Sequence, residues 1–217
     1  MHGVDLVIFD CDGVLVDSEP ISARVLAAAL CAEGLPTTEH EARRRYQGLQ
    51  LPEMVERIEA ELGRGLPADW LTAFRERRAE VFRRALRAVP GARGAVERIA
   101  GAGVQVCVAS QAGLEKTRLS LGLTGLAPLF PDGALFSAAL VARGKPHPDL
   151  FLHAAAHLGV APARCVVVED SPSGVAAAIS AGMRVFAYTA DPAGPPLLDP
   201  AAEPLGALSE LPGRLGI

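Results

Sequence analysis

Two aspartates one residue apart, followed by glycine, stand where an apolar run ends in VDLVIFDCDGVLVDSEP, residues 4–20. Carboxylates at the C-terminal end of a parallel strand face the crevice where open α/β sheets bind ligands, so Asp10 and Asp12 are aimed at chemistry. On its own, Asp-x-Asp-Gly also reads as an ordinary strand exit, because Asp and Gly both favour turns. Three later segments carry matching polar groups. VQVCVAS ends in Ser110, and Gln111, Ala112 and Gly113 then open a helix whose amides suit an anion. The run Gly144, Lys145, Pro146, His147, Pro148, Asp149 sets one lysine in a proline-flanked helix entry. VVVEDSPSGVAAAISAGM takes a buried strand into Glu169 and Asp170, then Ser171 and Gly174.

Four carboxylates at one crevice repel each other unless a cation lies among them, and hard oxygen ligands suit magnesium. With a serine, backbone amides and a lysine added, the cleft fits a phosphoryl group, whose transfer depends on positioning and charge neutralisation.

The elements that must hold these groups follow from hydrophobic patterning. Apolar runs at 4–9, 104–108, 165–168 and 185–188, with a weaker one at 134–137, alternate with helical patterns. Near-continuous apolar strands between helices predict a doubly wound, Rossmann-like α/β core with a parallel sheet covered on both faces. Residues 16–88 break that plan with helical patterns alone, including 21–32, 52–62 and an amphipathic 70–86 whose arginines form a solvated face. The expected division is a core of 1–15 and 89–217 with an inserted all-helical domain at 16–88. The tail 191–217 reads as an ordered loop and a short terminal turn.

Composition narrows the partners. The chain has 217 residues, 50% of them hydrophobic, and a net charge of −4. That supports a sizeable core and supplies none of the basic footprint of a nucleic-acid binder. Cys11, Cys31, Cys107 and Cys165 lack metal or redox spacing, which fits a reducing cytoplasm. No apolar run is long enough for a bilayer and no leader pattern precedes the first strand. The expectation is a cytoplasmic monomer acting on a small molecule, with no membrane partner.

The set DCDGVLVDSE, VCVAS, GKPHPDLF and VVVEDSPSGVAAAISAGM resembles the four signature motifs of the haloacid dehalogenase-like hydrolase superfamily, over nearly the whole chain. It is similar to the branch with a helical cap after the first motif, which includes sugar-phosphate phosphatases and β-phosphoglucomutase. FDCDGVLVDSE with FPDGALFSA and the ADP segment at 190–192 is most similar to phosphatases acting on 6-phosphogluconate and related sugar phosphates.

The resemblance implies a magnesium-dependent phosphatase in which Asp10 is the nucleophile that forms an aspartyl phosphate and Asp12 the general acid and base. It implies that Ser110, Gln111 and Lys145 bind phosphate, although the family usually has Asn or a small residue where Gln111 stands. It further implies magnesium on Asp10, the Asp12 carbonyl and Asp170, with Glu169 in contact or one step removed. The turn Arg45 to Gln50 resembles the substrate-specificity loop of the cap, which singles out Arg45 and Gln47; Arg45 reads equally as a solvated helix end. Hinges are expected at 16–18 and 88–91.

The alternative function is a β-phosphoglucomutase-like mutase, but the cap-helix histidine shared by those enzymes is replaced here by Ser22. A dehalogenase lacks the second aspartate, and a phosphorelay receiver carries its acceptor on the third strand. A silent magnesium or sugar-phosphate binder stays open. Cys11 is expected to point away from its flanking aspartates, and His153 with His157, one turn apart, lacks a third zinc ligand.

Overall fold

The computed structural model describes residues 3–189 and 199–217. Six strands run β1 (Leu6–Phe9), β2 (Gln105–Ser110), β3 (Leu135–Ser137), β4 (Cys165–Glu169), β5 (Arg184–Tyr188) and β6 (Glu203–Leu205). They form one sheet of order β3-β2-β1-β4-β5-β6 with every neighbouring pair parallel. All four residues of β1 are fully buried, as a central parallel strand covered on both faces requires.

Register decides where the polar exits lie. Phe9 pairs with Val108 on one side and Val168 on the other, and the Asp10 amide donates to the Val168 carbonyl at 3.0 Å. The first polar residues beyond each run therefore emerge along one C-terminal edge. The weak apolar run at 134–137 is the edge strand β3, paired as Ser110 to Ser137. The strand β6 was not expected: three residues, one of them Pro204, show no alternation, and an edge strand tolerates the missing amide. Residues 190–198 of the expected tail loop, and with them the ADP segment, lie outside the described residues.

The chain divides into two compact units, Met1–Val16 with Ala88–Ile217, and Asp17–Arg87. The first unit holds the sheet with α5 (Ala92–Gly101), α6 (Leu114–Leu123), α7 (Asp149–His157), α8 (Pro172–Ser180) and α9 (Leu211–Arg214). Its crossing point is tied by a bridge between Val16 and Ala88 and by the Val89 amide on the Leu15 carbonyl at 3.0 Å.

The second unit contains α1 (Glu19–Ala32), α2 (Glu39–Tyr46), α3 (Leu51–Leu62) and α4 (Trp70–Ala85), and its two ends meet where the Asp17 amide donates to the Arg87 carbonyl at 3.0 Å. Leu30, Ile58, Phe74 and Phe82 fill its interior, and Trp70 stacks on Phe74 at 5.5 Å. Thr38 and Glu41 close a capping box that starts the otherwise polar α2. Two of the arginines of α4, Arg77 and Arg84, share Glu80 as partner. Among the described residues no helix is long and apolar enough to cross a membrane.

Candidate active site

The C-terminal edge of the sheet gathers Asp10, Ser110, Lys145 and Glu169 into a nearly buried cluster, none more than 7% exposed. The Lys145 ammonium sits between the two acids. It donates to Asp10 Oδ1 at 2.5 Å, to Glu169 Oε1 and to the Ala109 carbonyl at 3.1 Å, and lies 5.1 Å from the Phe151 ring centroid. Burial alone would push the lysine toward its neutral form, but the charges of Asp10 and Glu169 outweigh it and hold the ammonium protonated. Burial pushes the Asp10 carboxyl up to about 7 against the pull of Lys145, with Glu169 and Asp12 adding to the rise.

Glu169 has a different job from the other acids. Its Oε2 accepts from the amides of Asp170 and Ser171 at 3.0 Å each and from the Ser171 hydroxyl at 2.9 Å. Ser171 in turn caps α8 by accepting from the Gly174 amide at 3.1 Å, and Pro172 starts the helix where no donor is needed. Both Glu169 oxygens are thereby engaged. Gly174 is required by that packing, because a Cβ there would run into the Glu169 carboxyl group.

Asp12 lies in a tight turn in which the amides of Leu15 and Val16 both donate to the Cys11 carbonyl at 3.0 Å. Gly13 follows with φ of 83°, and a Cβ on it would collide with the Asp170 carboxylate. Asp170 is thus brought against the Asp12–Gly13 peptide, uniting the first and last acidic motifs. Ser110 accepts from the Ala112 amide at 3.1 Å, and its hydroxyl proton is given to no protein group among the described residues. An oriented, buried O–H donor of this kind suits an anion.

Lys116 was not singled out from the sequence. It stands in the first turn of α6 and pairs with Asp12 Oδ1, with both side chains largely buried. It lies three residues past Gly113, in a segment whose strand exit and helix start point to the amides and not to this side chain. The side-chain amide of Gln111 is engaged at both its nitrogen and its oxygen with the backbone of Lys145.

Four acid side chains face two ammonium groups here, an excess of acid that a divalent cation would offset. Among the described residues no three His, Cys, Asp or Glu side chains form a metal-holding group. Carboxylate and carbonyl oxygens are the hard ligands that magnesium takes while keeping water.

Arg45 and Gln47 belong to the other unit and are bound up there. Arg45 pairs with Glu61 and lies 5.3 Å from the Tyr46 ring centroid, Tyr46 donates to Glu61 at 2.9 Å, and Gln47 accepts from Arg43 at 3.0 Å. Arg45 is therefore a paired residue and not a solvated helix end. Cys11 is fully buried, which holds its thiol protonated, and His153 and His157 flank the Phe136 ring on α7.

A family model described as haloacid dehalogenase-like hydrolase matches residues 4–182. The chain is 34% identical over 213 residues to 6-phosphogluconate phosphatase of Escherichia coli (strain K12), covering 98% of this chain and 95% of that protein. It is 33% identical over 189 residues to phosphorylated carbohydrates phosphatase of Thermotoga maritima, covering 83% of each. A HAD family hydrolase from Deinococcus radiodurans R1, solved with bound phosphate and sodium, superposes with a TM-score of 0.79 at 31% identity, covering 100% of this chain and 96% of that chain.

Proposed function

The chain belongs to the haloacid dehalogenase-like hydrolases, and from that premise we propose that it is a magnesium-dependent phosphatase that hydrolyses a small phosphorylated carbohydrate through an aspartyl phosphate. The observation that carries this reading is the buried Lys145 ammonium held between Asp10 and Glu169 and bonded to the carbonyl of Ala109, the residue before Ser110. The names of the relatives from Escherichia coli and Thermotoga maritima support the substrate class, and the phosphate in the Deinococcus hydrolase supports an anion site.

Asp10 attacks phosphorus, forming an Asp10 oxygen–phosphorus bond as the bond to the ester oxygen breaks. Asp12 gives its proton to that leaving oxygen, then takes one from the water that attacks the aspartyl phosphate and frees Asp10 and inorganic phosphate. Lys145 and the Ser110 hydroxyl bind the phosphoryl oxygens as charge develops on them. Glu169, with both oxygens engaged, anchors Lys145. Magnesium held by Asp10, Asp170 and the Asp12 carbonyl would supply Lewis-acid charge and keep Asp10 ionised. Transfer to a second sugar hydroxyl is disfavoured, because Ser22 on α1 offers a hydroxyl where the mutases carry an imidazole.

The test is phosphate release from a panel of sugar, sugar-acid and polyol phosphates with and without magnesium. Turnover of at least one ester that needs the metal is expected. Turnover of none, or equal rates after chelation, contradicts the proposal.

A further inference from the structure

Gln111 and Lys145, 34 residues apart, meet through both halves of one side-chain amide. Gln111 Nε2 donates to the Lys145 carbonyl at 3.2 Å, and Gln111 Oε1 accepts from the Lys145 amide at 3.0 Å. A side chain here reproduces the two-bond exchange of paired strand residues. The loop that carries Lys145 lies outside the sheet, and its own turn bond joins the His147 amide to the Gly144 carbonyl at 3.0 Å, leaving the backbone groups of residue 145 to find partners elsewhere. Pro146 follows and has no N–H to contribute.

The far end of the lysine is held by the same stretch of β2, since its ammonium donates to the Ala109 carbonyl at 3.1 Å. Lys145 is therefore gripped at the backbone by residue 111 and at the ammonium by residue 109, with Ser110 between them. We propose that Gln111 is a positioning residue whose amide sets the place of the Lys145 ammonium relative to the Ser110 hydroxyl and Asp10. The proposal rests on reading Lys145 and Ser110 as the phosphoryl-binding pair.

The experiment compares wild type with Gln111→Leu, which removes both bonds, and Gln111→Asn, which is one methylene too short to make both. Each is assayed with p-nitrophenyl phosphate and magnesium, with inorganic phosphate as competitive inhibitor, alongside thermal unfolding and hydrogen exchange of the Lys145 amide. Displacing a reacting group by a fraction of an ångström costs about tenfold to a hundredfold in rate, so kcat/KM falls by that much in the Leu variant and less in the Asn variant. The phosphate inhibition constant rises about tenfold and the Lys145 amide exchanges faster, while Tm moves little. If the Leu variant does not fold, the Asn variant decides. Folded variants with kcat/KM and phosphate inhibition within about twofold of wild type would overturn the positioning role. Unchanged exchange at Lys145 would overturn the clamp, whereas a wild type inactive on every ester would overturn the phosphatase reading.

Discussion

The Lys116 ammonium pairs with Asp12 Oδ1 across 104 residues of sequence, placing a cation on the carboxylate proposed above as acid and base. Lys116 enters from the first turn of α6, a different element from the one that delivers Lys145. Each lysine therefore holds one of the two aspartates of the first motif.

Lys116→Met is expected to loosen Asp12 and to slow hydrolysis of alkyl phosphates about tenfold more than that of p-nitrophenyl phosphate, because only the poor leaving group needs a proton in transit. Lys116→Arg should restore part of the loss. Steady-state rates on both esters check this, and equal losses on the two would assign Lys116 a structural role only.

Gly174 sits inside α8, where helix propensity alone would favour alanine by about 1 kcal/mol. Its missing Cβ is the space occupied by the Glu169 carboxyl group, so steric conflict decides the sign. Gly174→Ala should destabilise by about 1–3 kcal/mol in denaturant unfolding, and activity should fall with it as Glu169 is pushed from Lys145. A more stable Ala variant would show that α8 does not pack as described.

At the far edge of the sheet, Arg184 donates to Glu203 at 2.6 and 3.0 Å and Arg214 adds a bond at 3.0 Å, tying β6 and α9 to β5. The hydrogen bond from Arg184 holds the Glu203 carboxyl below its usual range. A folded value below the unfolded one means the stabilisation is present above the unfolded value and is lost as pH falls through the folded one. Glu203→Gln should therefore lower Tm near neutrality by a modest amount, as suits a part-exposed pair, and the two Tm curves should converge between about pH 5 and pH 3. Curves that stay parallel over that range would mean the ion pair does not contribute.

Much of the core was legible because central parallel strands announce themselves: LVIF and VVV are buried on both faces, and their shared register forces Asp10 and Glu169 to one edge. What stayed hidden depends on where a side chain turns after leaving its element. The amides at the start of α8 fold back onto Glu169, and the Lys145 loop reaches the Gln111 side chain from 34 residues away, contacts that no spacing shows. Lys116 carries no motif at all, and β6 is too short and too close to a proline to show a period. Spacing along a chain predicts which groups reach an edge, and tertiary contacts decide which of them face a ligand.

The central claim is that Asp10 is the nucleophile, and the most direct measurement compares magnesium-dependent phosphate release by wild type and Asp10→Asn on the best ester from the panel. The account predicts that the variant folds, still binds inorganic phosphate, and loses about a thousandfold or more in kcat. A variant that hydrolyses the ester at a rate comparable to wild type would contradict it.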